Sequence, residues 1–590
     1  MIHIPPAFIL FIGAILIPIF LPNVRKWIVI LTPALAFFYI LSLDPGSYLN
    51  VSFFGFDLSL LRVDKLSKVF GYIFTIYGFA TGIYSFYLKD LRQQLSALIY
   101  MGGALGVVFA GDIITLYFYW ELMAIASVIL ILARETNKAL GAGYRYVLVH
   151  IVGGLCLLAG IVIYINQGGS IIFTKFTDHN LATYLILIGF LLNAAAPPLG
   201  AWLPDAYPES TPAGSVVLSA YTTKTAVYTL LRGFPGWEIL IFVGCLMTIY
   251  GIFYALLEND MRRILAYSII NQVGFMICGA GIGTAMAING AAAHAFAHIV
   301  YKGLLFMSAG AVLYMTGKSK CTELGGLYKT MPFTLLFGCI GALSISAFPL
   351  TSGFTTKSMI IESSVHNHLL WAWLTLEVAS AGVFLHAGIK FPYFVFFAKD
   401  RGLRPGETNK SMLIAMAFLS FICIFLGIYP KPLYKILPYS VGDYNAYTVP
   451  HVVTQLQLLM FSALVFFLFL PMLKRTDTIS LDTDWFYRKG AKLLYVFFDK
   501  TLNTINYVLD KIVISLVKIV AGFFADFVAN IALFIFVNIW LFKGISGKRL
   551  EIKKETLYYD IKEDLIPVGI GAAISGIFLV LIFLLGKSLW

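Results

Sequence analysis

Ala196-Pro-Pro-Leu-Gly-Ala-Trp-Leu-Pro-Asp205 interrupts an apolar run, and the chain then passes Pro208 and Thr211-Pro-Ala-Gly214 into a stretch containing Thr222-Thr-Lys224. A similar passage recurs later, where Phe348-Pro-Leu-Thr-Ser-Gly-Phe354 leads into Thr355-Thr-Lys357. Proline removes a backbone donor and glycine loosens a helix, so each passage breaks a helix that its neighbours would otherwise continue. Inside a bilayer the freed backbone groups need partners from protein or water, which puts such breaks within a bundle and not against lipid. Prolines can also do no more than kink a membrane helix. One break in each half of the chain, in paired hydrophobic segments, points instead to inverted repeats around a transport path.

The composition agrees with a membrane setting. Of 590 residues, 59% are hydrophobic, 16% are aromatic and 12% are charged, with mean hydropathy +0.86. Soluble domains carry about twice that share of charge. Apolar runs at 181–199, 216–231 and 568–585 approach the roughly 20 residues needed to cross a bilayer, and others recur along the whole chain. A secreted disulfide scaffold, a nucleic-acid binder and a disordered chain are excluded. The formal charge of +12 reads as basic cytoplasmic loops, which set orientation. Cys156, Cys245, Cys278, Cys321, Cys339 and Cys423 are scattered without a C-x-x-C pair, so neither an iron–sulfur nor a zinc site is expected; no cofactor and no metal is predicted. Residues 1–21 lack a basic leading segment and a small-residue cleavage site, and read as a retained first helix.

Helical spans are readable near 7–22, 27–43, 67–88, 95–110, 112–132, 144–165, 182–200, 213–232, 238–257, 264–282, 285–315, 331–350, 370–397, 411–429 and 451–473. Basic residues gather at Arg25–Lys26, at Lys89 and Arg92, and at Arg134, Lys138 and Arg145; Arg62 and Lys65 in the 44–66 connection are a partial exception. The pattern places the N-terminus outside. From about 484, Leu493, Phe497, Leu502, Ile505, Val508, Leu509, Ile512, Leu516, Ile519 and Phe523 recur mostly every three or four residues with charges between them. That predicts an amphipathic helix of some fifty residues, ~75 Å long, suited to a membrane surface. A polar link at 548–563 and a final span at about 567–588 follow. The expected organisation is 1–94, N-terminal helices; 95–430, the core; 431–483, a last core helix and linker; and 484–590, the amphipathic helix, link and anchor.

Ionisable residues inside apolar helices carry the functional signal, because each costs ~2.5–3.5 kcal/mol at a helix centre. Glu121 lies in Leu116-Tyr-Phe-Tyr-Trp-Glu-Leu-Met-Ala-Ile125, and Lys224 in Leu218-Ser-Ala-Tyr-Thr-Thr-Lys-Thr-Ala-Val-Tyr228. A Glu and a Lys in the membrane suggest an ion pair whose opening and closing shifts the lysine between charged and neutral. A lysine near an interface can also snorkel. His294, His298 and Lys302 are spaced by four and share one helix face. They form either a proton wire or a metal or haem ligand pair, and the wire is preferred because no Cys, Asp or Glu in that helix completes a metal shell. Arg262 reads equally well as loop charge. Lys357 begins a helix as an interface lysine or as the counterpart of Lys224. His150 is a weaker candidate, and Asp205 and Glu209 either guard an ion entrance or are solvated loop acids.

Several of these stretches resemble the antiporter-like subunits shared by respiratory complex I and Mrp cation/proton antiporters. They are Trp202-Leu-Pro-Asp-Ala206, Pro212-Ala-Gly-Ser215, Lys224-Thr-Ala-Val-Tyr-Thr-Leu-Leu-Arg232, Met261-Arg-Arg-Ile-Leu-Ala-Tyr-Ser268, Gln272-Val-Gly274, His298-Ile-Val-Tyr-Lys302-Gly-Leu-Leu-Phe306 and Ser352-Gly-Phe-Thr-Thr-Lys357. They cover about residues 65–430 in consistent order. The resemblance implies an all-α polytopic membrane protein with about fourteen core transmembrane helices. These include two inverted five-helix repeats with broken helices, followed by the amphipathic helix and the terminal anchor. It also implies that Glu121 matches the family's membrane glutamate, Lys224 its partner lysine, His294, His298 and Lys302 the central relay, and Lys357 the terminal ionisable group. Arg262 falls where many members have lysine; arginine stays charged at working pH, so it fits a fixed electrostatic element better than a proton carrier. A lysine at 357 resembles the Mrp D-type and some complex I subunits.

The expected function is translocation of protons, with Na+ as a second candidate ion, as one subunit of an Mrp-type complex in a prokaryotic cytoplasmic membrane. The partners would be other membrane subunits, H+ or Na+ and the bilayer, with no nucleic acid. The alternative is a proton-pumping arm of a redox-driven complex of the complex I or hydrogenase type. A chain that is itself a quinone or haem enzyme, with His294 and His298 as ligands, is disfavoured by the cysteine pattern and by the lack of a dinucleotide fingerprint.

Overall fold

A computed structural model of the chain describes residues 3–473, 481–563 and 568–587. It divides into two compact units, Met1–Trp485 and Phe486–Trp590. The linker residues 474–480 and positions 564–567, between the expected polar link and the last span, lie outside the described residues.

In the first unit, ten helices among the described residues are long and apolar enough to cross a membrane. The sequence suggested about fourteen core helices; the shorter apolar helices Pro6–Ile19, Leu181–Asn193 and Pro332–Ile345 and the interrupted pair Pro212–Leu218 and Thr222–Gly233 stand beside the ten. Met261–Ile282 and Ala285–Thr316 are buried along their length, so they form the centre, and the outer helices present apolar side chains outward. This is an integral membrane protein.

The all-α expectation needs one correction. The 44–66 connection is an antiparallel hairpin, Gly46–Phe53 with Phe56–Val63. Phe54 and Gly55 both have positive φ, 48° and 82°, which is the two-residue turn whose twist matches paired strands. The hairpin leads to Asp64, whose side chain caps the helix Lys65–Tyr84 and pairs at 2.8 Å with Arg232 at the end of the Lys224 helix.

Two blocks of five helices repeat one another. The first runs through Leu91–Phe109, Ile113–Leu132, Asn137–Asn166, Leu181–Asn193 with its continuation Trp202–Ala206, and the Pro212–Gly233 pair. The second runs through Ile239–Leu257, Met261–Ile282, Ala285–Thr316, Pro332–Ile345 with Ser352–His366, and Leu370–Val383 extended by π-helical turns Phe384–Lys390. In each block an aspartate caps the second helix, Asp112 and Asp260. Each of these forms a short antiparallel bridge sixty residues later, Asp112 with Ile172 and Asp260 with Lys320. The fourth helix of each block ends alike: Ala195 and Ala347 take φ of 63° and 57°, and the next amide reaches back five residues, Ala196 to Leu191 and Phe348 to Leu343, both at 3.0 Å. This is the Schellman closure. Gly200 and Gly353 then restart the helix where a Cβ would strike the backbone oxygen of Ala195 or Ser344. Five crossings, an odd number, separate equivalent points, so the repeats are inverted.

The second unit corrects the amphipathic helix. The expected fifty-residue rod is Ala491–Ala525, 35 residues, after which the chain bends by 79° into Phe527–Phe542. Asp526 marks the break: it accepts a hydrogen bond from the Tyr558 hydroxyl and lies 3.3 Å from the Lys562 ammonium. Both partners belong to Lys548–Glu563, so the expected polar link is itself a helix. The expected terminal span falls on the helix Val568–Lys587.

Candidate ion-translocation site

The helix carrying Lys224 is broken at 219–221, so Lys224 lies in the first turn of Thr222–Gly233 and not well inside a continuous span as the sequence suggested. It is nonetheless fully buried, and its ammonium donates to the Ser219 carbonyl at 2.7 Å and the Thr223 hydroxyl at 3.0 Å. The break therefore supplies the ligand: a carbonyl released from the helix ladder takes the ammonium.

Glu121 projects from Ile113–Leu132 against Gly154, where a Cβ would collide with its carboxylate. Its Oε1 is buried with no hydrogen-bond partner. The expected Glu121–Lys224 ion pair is absent in this conformation, because the lysine is occupied by Ser219 and the carboxylate by the Gly154 notch.

The central helix Ala285–Thr316 carries His294, His298 and Lys302 along one face, all at 0% exposure. Both ring nitrogens of His298 and the Lys302 ammonium have no protein hydrogen-bond partner. His294 is held at both ends, its Nε2 3.1 Å from Gln272 Oε1 and its Nδ1 3.3 Å from Thr356 Oγ1. The Tyr301 hydroxyl donates to the same Gln272 oxygen at 3.0 Å. Thr356 precedes Lys357, whose ammonium donates to Ser380 Oγ at 2.7 Å and lies 5.5 Å from the Phe275 ring centroid.

These side chains form a buried series. The His294 and His298 ring centroids lie 6.3 Å apart, and Lys302 follows His298 by one helical turn. Thr356 joins His294 to the helix position just before Lys357, and half-buried Glu377 lies one turn before Ser380, the Lys357 partner. Arg262 stands apart from it. Its guanidinium donates to the carbonyls of Pro208 at 2.7 Å, Ser210 at 2.9 Å and Thr211 at 3.2 Å, so it clamps the 207–211 segment. Asp205, one of the two acids left open above, is buried in a bidentate pair with Arg145 at 2.6 and 2.9 Å.

Sequence reasoning missed Glu377, His386 and Lys390. All three lie in the apolar stretch 370–397, and an audit of every charge in that span would have found them. Lys390 is fully buried and donates to the carbonyls of Ala255, Leu256 and Glu258 at 2.6–2.8 Å, closing the end of Ile239–Leu257. Among the described residues, no cluster of His, Cys, Asp or Glu is arranged to hold a metal ion.

Residues 110–383 match the transmembrane domain described as NADH:quinone oxidoreductase/Mrp antiporter, TM. This segment belongs to the NADH:quinone oxidoreductase/Mrp antiporter family. The antiporter-family segment takes in Glu121, Lys224, the central histidines, Lys357 and Glu377. The chain is similar to a probable K(+)/H(+) antiporter subunit of Rhizobium meliloti, 30% identical over 404 residues, which are 63% of this chain and 40% of the relative. It is also similar to an Na(+)/H(+) antiporter subunit of Staphylococcus aureus, 28% identical over 482 residues, 71% of this chain and 60% of the relative. The chain thus spans about half the length of these curated relatives. Its fold matches a chain of the membrane-bound sulfane sulfur reductase, an archaeal respiratory membrane complex, with TM-score 0.68 at 24% identity over 87% of this chain and 95% of that one. A chain of the Mrp complex from Dietzia sp. DQ12-45-1b matches with TM-score 0.65 at 17% identity, over 76% of this chain and 98% of that one.

Proposed function

We propose that the chain is a proton-translocating subunit of a multi-subunit membrane complex, exchanging protons for Na+ or K+ when assembled in an Mrp-type antiporter. The observation that carries this is the buried series Lys224, Lys302, His298, His294 and Lys357, with half-buried Glu377 at its end. A buried ammonium and imidazole without fixed protein partners are costly as static structure, but their hydrogen-bonding capacity is free for a mobile proton carrier. Lysine and histidine both release and accept protons. A charge arriving on Lys224 repels one on Lys302 or His298, and the repulsion passes along the series to Lys357. Glu121 controls entry by leaving Gly154 to meet Lys224, which closes the ion pair and withdraws the ammonium from Ser219. Arg262 acts as a fixed positive clamp and carries no proton. The names of the relatives support a cation/proton exchange, and other membrane subunits of a prokaryotic cytoplasmic membrane are the expected partners.

A second reading, a proton-carrying arm of a redox-driven complex, is favoured by one observation. The match to the respiratory-complex chain covers more of this protein than the first unit contains, so the shared fold extends into the second unit.

The test is ΔpH in inverted vesicles containing the intact complex, with Na+, K+ and an electron donor supplied separately. A response to a cation alone identifies gradient-driven exchange, and a response to the donor alone identifies a redox-driven pump. Lys224→Ala abolishes either response; full transport in that variant rejects the proposed series.

A further inference from the structure

The internal repeat assigns a role to a residue outside that series. His150 stands thirty-eight residues after Asp112, and His298 thirty-eight after Asp260, each on the third helix of its block. The register holds around them: Tyr146 answers to His294 and Gly154 to Lys302, each pair at equal distance from its capping aspartate. We propose that His150 is the first repeat's relay imidazole, passing protons between Glu121 and Lys224; this rests on the translocation reading above.

The geometry of the ring suits that work. His150 is buried, and its Nδ1 lies 3.0 Å from the Tyr146 carbonyl. A carbonyl only accepts, so Nδ1 carries the hydrogen and Nε2 is left as the base. Nε2 is buried and has no protein partner. The ring is held in place by stacking on Tyr146 at 3.9 Å and by the edge of Trp202 at 4.7 Å. Fixed orientation with one free nitrogen is what a relay requires.

Its neighbours seat it against the Glu121 helix. Gly154, which receives the Glu121 carboxylate, lies one helical turn from His150 on the same face. Tyr146, one turn the other way, bonds Ser127 on the Glu121 helix at 2.8 Å. These two contacts bracket His150 between the antiparallel helices. Thr222, the first residue of the Lys224 helix, is bonded to Tyr100 at 2.7 Å. The ionisable groups nearest the ring are Tyr146 from its own helix, stacked on it, and Glu121 from the second helix, seated on Gly154 one turn away; the broken segment contributes Trp202. Leu181–Asn193 supplies only Tyr184. A proton taken by Nε2 from the Glu121 carboxyl leaves an imidazolium and a carboxylate. Release toward Lys224 restores the neutral ring and creates an ammonium, so charge is conserved at each step.

The experiment measures ΔpH in inverted vesicles carrying the intact complex, with the driver that works for the unmodified protein and a pH-sensitive dye as readout. His150→Gln is expected to slow the initial rate about tenfold or more and to change its pH dependence. Combined with Glu121→Gln, it is expected to be no slower than the slower single variant, since members of one path do not add. The unmodified rate and pH profile in His150→Gln, or additive losses in the double variant, overturn the proposal. Should His150→Gln fail to assemble, Gly154→Ala displaces the carboxylate without touching the ring, and a full rate there overturns it equally. Lys224→Ala run alongside separates the two readings. If it keeps full transport, both fall; if it is inactive while His150→Gln is not, only the role of His150 falls.

Discussion

The two five-helix blocks share their fastenings but not their charges. Capping aspartate, sixty-residue bridge, left-handed alanine and restarting glycine recur in both. The polar residues between these points differ in a patterned way. In the first block the charge comes from the second helix, Glu121, and the third helix makes room for it with Gly154. In the second block the same two registers hold Ile269 and Lys302, so the third helix supplies the charge and the second has an apolar residue at the register of Glu121. Backbone closure tolerates little change because a Cβ at Gly200 or Gly353 would strike main chain. An ionisable side chain can move to the facing helix while still filling the same buried site. The repeat is thus a scaffold constraint, and the relay is what was varied upon it.

The sharpest way to test this division between scaffold and relay compares two buried lysines. Lys390 donates to three carbonyls, and Lys302 has no protein hydrogen-bond partner. Lys390→Met strands those carbonyls and is expected to destabilise the protein by about 2–4 kcal/mol, seen as a lower thermal midpoint in detergent. Lys302→Met removes a buried charge with no bond to lose, so its midpoint should stay level or rise while transport stops. Equal losses of stability would erase the distinction.

A smaller effect probes the equivalence of the blocks. Asp112 accepts from the Thr115 amide at 2.7 Å and the Ser59 amide at 2.8 Å. Asp260 accepts from the amides of Arg262 at 2.8 Å and Arg263 at 3.1 Å, and from the Ser319 hydroxyl. Replacing either with alanine should cost about 1–2 kcal/mol, and by similar amounts. Thermal unfolding of the two variants measures this, and a silent substitution at one of them would show that only one block depends on its cap.

What was legible beforehand follows from how each feature is encoded. A charge inside an apolar run is visible in one dimension, so Glu121, Lys224, His294, His298, Lys302 and Lys357 stood out, as did the two proline-glycine breaks. The break at 219–221 was not visible, because Ser219, Ala220 and Tyr221 include neither proline nor glycine; it is stabilised by tertiary bonds such as Tyr100 to Thr222. The hairpin at 46–63 was passed over as a connection because strands of eight residues carry far less signal than membrane helices. The bend at Asp526 depends on Tyr558 and Lys562, more than thirty residues away. Lys390 was hidden in plain view, within a span accepted as apolar.

The smallest effect concerns the turns that leave each block. After the first, the Gly236 amide donates to the Ala280 carbonyl at 2.9 Å, a bond between groups that do not titrate. After the second, the Gly402 amide donates to Asp400 Oδ1 at 2.9 Å. The Arg404 guanidinium, at 2.7 and 2.8 Å, is the chief reason the Asp400 carboxyl is held well below the usual carboxylate range, with the Gly402 amide adding to it. A depressed folded value means the stabilisation is present above the unfolded value of about 3.9 and fades as pH falls through the folded one. Hydrogen-exchange protection at Gly402 should therefore decline once the pH drops below about 4, modestly because the pair is exposed and salt-screened. Protection at Gly236 should not follow it. Asp400→Asn should remove the pH step at Gly402 while leaving Gly236 unchanged, and a matching step at both glycines would mean that acid loosens the block as a whole and not this turn.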